Sequence, residues 1–344
     1  MRSLTPKERL QRVLRKEEVD RPPVICAGGM MNAAIVEIME ETGLTLPEAH
    51  FDADRMARLA QAVQERTGFE NVGVPFCMTV EAELLGSEIN HGSLACEPKI
   101  ARERFPSVSQ VEFRDIDAMA RSGRMRVVAE AAHRVARAKP DLPVIASLTG
   151  PISTSASIVD PMTFLKELRK NPAGAHQVLD YVTRLLGAFA EQLLANHGAS
   201  AIAVGDPSAT GEILGPAMFD EFAVPHLNQL ADRVHDLGFP FIIHICGDLK
   251  RVRPLLPKLR CDALSTDAML NLAGLKADFP QITTMGNLST FALQWNSPEK
   301  IAAMTRNLIA DGIDIISPAC GLSTSTKLQS IQALTNTVKE HEAR

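Results

Sequence analysis

From residue 116 to the end, short apolar runs alternate with longer helical stretches, and this rhythm restricts the fold more than any other property of the chain. The apolar runs fall at residues 143–147, 199–204, 240–245, 262–265, 282–285 and 313–317, each bounded by Gly, Pro or Asp. Helices are expected around 116–138, 161–196, 216–237, 249–258, 298–310 and 326–342, before, between and after them. Strands that are apolar throughout, and separated by helices, belong to a parallel sheet covered on both faces. With Val24-Ile-Cys-Ala27 and Val72-Gly-Val-Pro-Phe76 added, about eight strands are available, and that number favours a closed (β/α)8 TIM barrel over a doubly wound sheet. No Gly-x-Gly-x-x-Gly follows the first strand, which argues against a dinucleotide fold.

The first third of the chain is less regular. Thr5-Pro6-Lys7-Glu8 opens a helix with a capping box and Pro in its first turn, and Leu10, Val13 and Leu14 form its apolar stripe. Arg21-Pro22-Pro23 ends it. Helices are expected at 33–42 and 47–67, and an irregular excursion or hairpin over 85–105. We read 1–344 as one barrel domain, with 1–20 as an N-terminal helix and 30–110 as helical and irregular additions.

One run carries chemistry. His244-Ile245-Cys246 follows directly on Phe239-Pro-Phe-Ile-Ile243, and Cys320 closes the segment that begins Ile313-Asp-Ile-Ile-Ser317. A strand sends alternate residues to one face, so His244 and Cys246 point the same way while Ile245 packs on the other side. One imidazole and two thiolates are the donor set of a catalytic zinc with an open fourth position, and no Cys-x-x-Cys knuckle of a structural site is present. Spacing alone leaves a second reading open, because buried cysteines and a hydrogen-bonded core histidine are common, and the two cysteines stand 74 residues apart.

The barrel supplies the missing link, since active sites of such folds lie where the strands end. At those ends stand Thr149-Gly150-Pro151, Gly205-Asp206-Pro207-Ser208, His244 to Asp248, Asp267, Gly286-Asn287 and Ala319-Cys320-Gly321. Asp206, Asp267 and Asn287 are thereby candidate catalytic residues. Singly, Asp206 and Asp248 also read as helix caps and Asn287 as a turn residue.

Composition narrows the class of partner. A net charge of −5, with one Trp and one Tyr in 344 residues, offers neither a basic surface nor stacking platforms for nucleic acid. Six scattered cysteines fit no disulfide scaffold, and no apolar run reaches membrane-spanning length, so a soluble protein of the reducing cytoplasm is expected.

Four segments together resemble a known family: Arg21-Pro-Pro-Val-Ile-Cys-Ala-Gly-Gly-Met-Met-Asn32, Pro75-Phe-Cys-Met-Thr-Val-Glu-Ala-Glu83, Gly205-Asp-Pro-Ser-Ala-Thr-Gly-Glu-Ile-Leu-Gly-Pro216, and His244-x-Cys246 with Cys320-Gly321. They look like the methylcobalamin:coenzyme M methyltransferases of the uroporphyrinogen decarboxylase superfamily, and the likeness runs through essentially the whole chain. It implies a zinc held by His244, Cys246 and Cys320, with Asp267 as a displaceable acidic ligand. It further implies methyl transfer from methylcobalamin to a small thiol, most of all coenzyme M. Because the chain has no Asp-x-His-x-x-Gly signature, the corrinoid is expected on a separate protein partner. Met30, Met31 and Met78 would form an adaptable apolar rim for its macrocycle, although methionine there also serves as core filler. Glu81, with Glu83 and Glu212, is a further candidate for contact with cofactor or substrate. For a sulfonate the cationic candidates are Lys250, Arg251 and Lys327, with the Gly28 and Gly29 amides as an alternative.

The decarboxylases of the superfamily are the rival. They carry an Arg-rich Met-Arg-Gln-Ala-Gly-Arg segment after the first strand, where this chain reads Ala27-Gly-Gly-Met-Met-Asn-Ala33. A porphyrinogen would lack counter-charges for its carboxylates. The chain also departs from the methyltransferases after the last cysteine, reading Gly321-Leu-Ser-Thr-Ser-Thr-Lys327 in place of a Thr-Pro type loop, at the edge of the site where the acceptor is chosen. Homocysteine and tetrahydrofolate are therefore alternative acceptors.

Overall fold

A computed structural model describes residues 3–341. The two residues before it and the three after it, which include the outer ends of the expected first and last helices, lie outside the described residues. Seven parallel strands follow one another round a single sheet: β1 (Val72–Val74), β4 (Val144–Thr149), β5 (Ala201–Gly205), β6 (Phe241–Ile245), β7 (Ala263–Thr266), β8 (Thr284–Leu288) and β9 (Ile315–Pro318). Strands β2 (Glu88–Asn90) and β3 (Lys99–Arg102) form a separate antiparallel hairpin inside the 85–105 excursion. The gap between β9 and β1 is filled by the expected first strand, reduced to one parallel bridge, Val24 to Ile316. Ile25 N–H donates to Ile316 O, and Glu70 N–H donates to Val24 O. The Asn71 side chain completes the seam by accepting from Cys26 N–H and donating to Cys26 O. A side-chain amide thus stands in for a rung of the ladder, and the sheet curls shut.

Strand alternation sorts the core into two layers. Ile25, Ile145, Ala203, Ile242, Met285 and Ile315 fill the inside, while Val144, Ile202, Ile243, Ile245 and Leu264 face the surrounding helices. Small alanines at 201, 203 and 263 leave room for a plug. Helix Pro6–Leu14 supplies it, pressing Leu10, Val13 and Leu14 against the interior cluster from the N-terminal end. Its capping box is formed as expected, with Thr5 accepting from Glu8 N–H and the Glu8 carboxylate from Thr5 N–H.

Several expected helices are divided. The 47–67 stretch is a short turn of 3-10 helix at Glu48–His50 and then Ala53–Thr67, capped by Asp52. The 161–196 stretch breaks at Asn171-Pro172 into Pro161–Lys170 and Pro172–Leu194. Around 249–258 only a 3-10 segment forms, Arg253–Lys258, because Pro254 and Pro257 each remove a donor. No helix among the described residues is long and apolar enough to cross a membrane.

Candidate metal centre

Strand β6 ends in His244-Ile245, and the parallel register sets His244 beside Gly205 on one side and Ser265 on the other. Alternation turns His244 inward above Ile242, with Cys246 one step further toward the mouth. Strand β9 delivers Cys320 to the same place across the barrel. The His244 Nε2 atom lies 3.0 Å from Cys246 Sγ, and the two sulfurs lie 3.0 Å apart. One donor atom from each of the three residues gathers within 4.8 Å of the others. Both cysteines are free thiols.

Electrostatics within the trio favour losing a proton from one sulfur only. A hydrogen bond from Cys246, assisted by His244 and the Gly321 N–H, pulls the Cys320 thiol well below the ordinary range. The same contact with Cys320, together with burial, pushes Cys246 up. Two thiols sharing a proton beside an imidazole form a donor set that a soft divalent cation satisfies by displacing that proton. The donors therefore fit zinc, which His244, Cys246 and Cys320 would hold with room in its coordination for one further ligand.

That cavity has a volume of about 140 Å³ and is lined by Gly28, Met30, Met31, Met78, Ser147, Gly205, Pro207, His244, Cys246, Ser265, Met285, Cys320 and Gly321, with Ala27, Ala203, Val204 and Ile242 beneath. Met30, Met31 and Met78 are thus among its lining residues, Met30 exposed and Met31 buried within the core. No Lys or Arg is among the described residues that line it. Lys250, Arg251 and Lys327 are all exposed outside it, and the Gly29 N–H already donates to Pro75 O.

The acidic candidates are placed differently. Asp206 is fully buried just past β5, but its carboxylate accepts from Ile152 N–H, Ser153 N–H and the Ser153 hydroxyl at 2.6 to 3.1 Å. It therefore serves the N-terminus of helix Pro151–Ile158, and burial holds its carboxyl up at about 6. Asp267 is half-buried after β7, with Oδ1 accepting from Met269 N–H. Its charge is felt at Cys246, but its oxygens are not among the gathered donor atoms. Asn287 braces that loop, donating from Nδ2 to Asp267 O and Leu270 O.

Glu81 stands behind the cavity, buried, and accepts from Thr149 N–H and Oγ1 at 2.9 and 3.0 Å. Burial pushes its carboxyl up from 4.5 to about 7. A folded-state value above the unfolded one means that protonation favours folding. Relative to Glu81→Gln, the stability of the unaltered protein should be greatest below pH 4.5 and should be lost as pH rises through about 7, by about 3 kcal/mol in all, as read by urea unfolding across that range.

Ser265 was not among the residues the sequence singled out. It accompanies His244 at 2.9 Å from Nδ1, and only the register of β6 against β7 reveals it. Over the whole length, the chain is 31% identical to a methylcobamide:CoM methyltransferase of Methanosarcina acetivorans (99% of this chain, 100% of the relative) and 31% identical to one of Methanosarcina barkeri (100% of both). A solved methyltransferase from Methanosarcina mazei superposes with a TM-score of 0.92 at 29% identity, covering 98% of this chain and 99% of that one. The profile of the uroporphyrinogen decarboxylase (URO-D) family matches residues 5–341, and with it these full-length relatives establish that the chain belongs to the uroporphyrinogen decarboxylase family.

Proposed function

We propose that this protein is a zinc-dependent methyltransferase that moves a methyl group from a methylated corrinoid, carried on a separate protein, to a small thiol, with coenzyme M as the acceptor. The observation that carries this reading is the convergence of His244, Cys246 and Cys320 at the base of a small cavity at the strand ends. The relatives named for methylcobamide:CoM methyl transfer support it. His244, Cys246 and Cys320 would hold the metal, leaving Asp267 or water to be displaced as the thiol arrives. Zinc bound there would keep the acceptor sulfur as thiolate at neutral pH.

The chain's own residues do the rest. Two cysteine thiolates balance the charge of a divalent ion, so the incoming sulfur stays electron-rich. Met30, Met31 and Met78 surround the cavity with soft apolar surface that keeps water from the thiol. A cavity of about 140 Å³ admits a small thiol but not a corrin ring, so the methyl donor must be presented at the mouth, with Met30 the most exposed of the three methionines. We place the protein in the cytoplasm, where free thiols and a corrinoid partner persist.

Porphyrinogen decarboxylation fits poorly, because a polycarboxylate would enter a cavity without a cationic side chain among its described lining residues. Metal analysis of purified protein, followed by methylcobalamin consumption with coenzyme M, homocysteine and tetrahydrofolate in turn, tests the reading. About one zinc per chain and demethylation driven by coenzyme M is the expected result. Zinc-free protein that leaves methylcobalamin intact with every acceptor would refute it.

A further inference from the structure

We infer that Ser265 is a positioning residue for the metal centre, holding the His244 imidazole in the orientation and tautomer that turn Nε2 toward the two sulfurs. The inference rests on the metal reading above and adds to it a residue on a different strand.

The geometry is specific. His244 and Ser265 are register partners between β6 and β7, and Ser265 is paired on its other side with Met285 of β8, so its backbone is fixed from both flanks. Ser265 is wholly buried and His244 is 6% exposed. Ser265 Oγ lies 2.9 Å from Nδ1, while Nε2 on the far edge of the ring faces Cys246 Sγ at 3.0 Å.

An imidazole coordinates through a nitrogen lone pair, so its proton must sit on the other nitrogen. With Nε2 toward the sulfurs, that proton belongs on Nδ1, where it donates to Ser265 Oγ. Without the hydroxyl, Nδ1–H would be a buried donor lacking a partner, and the ring would favour the tautomer with Nε2–H directed at a cysteine sulfur. That tautomer cannot bind a cation through Nε2. Ligating histidines are generally steered by such a partner on the second nitrogen, and losing it costs about 10- to 100-fold in metal affinity.

The test compares Ser265→Ala, Ser265→Thr and Thr266→Ala in the full-length protein. Thr266 is the next residue on the same strand, is equally buried, and is directed to the opposite face. Zinc affinity, measured by competition with a chromogenic chelator, should fall about 10- to 100-fold in Ser265→Ala. It should remain close to that of the unaltered protein in Ser265→Thr, which keeps the oxygen, and in Thr266→Ala. Histidine 15N spectra give a second readout that a merely structural role would not move: the zinc-loaded protein should show His244 protonated at Nδ1, and metal-free Ser265→Ala should shift toward protonation at Nε2. An unaltered protein that binds zinc, with Ser265→Ala equal in affinity and tautomer, overturns the role of Ser265 alone. An unaltered protein that takes up no zinc overturns the metal reading and this inference together.

Discussion

Cys246→Ala should lose zinc retention and thiol methylation together, with zinc affinity reduced at least about 1,000-fold and the barrel intact. Three side chains gather within 4.8 Å, and removing one leaves an imidazole and a single thiolate to hold a small divalent ion. Binding to a full structural zinc set is worth on the order of 10–16 kcal/mol, so losing a third of the donors removes several kcal/mol, and about 4 kcal/mol already corresponds to 1,000-fold. The fold is spared because Cys246 is only half-buried and stands just beyond the last residue of β6, outside the ladder. Removing one sulfur there empties space beside an existing cavity instead of opening one in the packed interior. Cys261→Ala makes a suitable control, since that thiol sits before the start of β7, at the opposite end of the strands from the cavity. Metal content, chelator competition and methylcobalamin consumption on both variants decide the matter. Turnover retained in Cys246→Ala would eliminate a mechanism that depends on three-point metal binding.

Much of this centre was legible in the sequence because strands encode direction. The apolar runs before His244 and Cys320 identify buried strands, and period-two alternation then sends His244 and Cys246 to one face without any knowledge of the fold. The barrel itself follows from the regular alternation of apolar strands and helices. What the sequence hides is register. Ser265 lies in Asp262-Ala-Leu-Ser265, an ordinary strand segment, and becomes meaningful only when β7 is laid against β6. Asp206 illustrates the converse. Its place after a strand suggested chemistry, but the chain folds Pro151–Ile158 into a helix whose first amides reach that carboxylate. Pro151 in its first turn is the one start signal that helix carries, but nearly every residue in it is buried and no polar stripe marks its period. The short helices Leu272–Asp278 and Thr290–Trp295 went unseen because two turns or fewer carry too little periodicity to register.

The second large effect is expected far from the site. Glu70→Ala should destabilise the protein by about 3–5 kcal/mol while leaving the activity of the folded fraction unchanged. Glu70 is 3% exposed and lies at the N-terminal end of the strands, opposite the cavity. Its Oε1 accepts from Arg9 Nη1 at 2.6 Å and Arg21 Nη2 at 2.8 Å, and its Oε2 accepts from Arg21 Nη1 at 2.9 Å and Val24 N–H at 3.0 Å. One carboxylate thus ties the plug helix, through Arg9, to the Val24 seam that closes the sheet. Arg9 in turn holds Asp20, whose carboxyl its hydrogen bond pulls down to about 2. Truncating Glu70 removes one negative charge from a balanced set of four. It leaves the Val24 amide and Arg9 Nη1 without the carboxylate they donate to and the Arg21 guanidinium with only the Pro22 carbonyl, and desolvation then works against the fold. Glu70→Gln should cost less, because an amide oxygen still accepts from Val24 or one guanidinium. A cycle of Arg9→Ala, Glu70→Ala and the double variant, read as urea midpoints with the slope unchanged, should give a coupling energy above about 1 kcal/mol. If the two single effects simply add, the network is not what holds the plug to the barrel, and the apolar contacts of Leu10, Val13 and Leu14 must hold it alone.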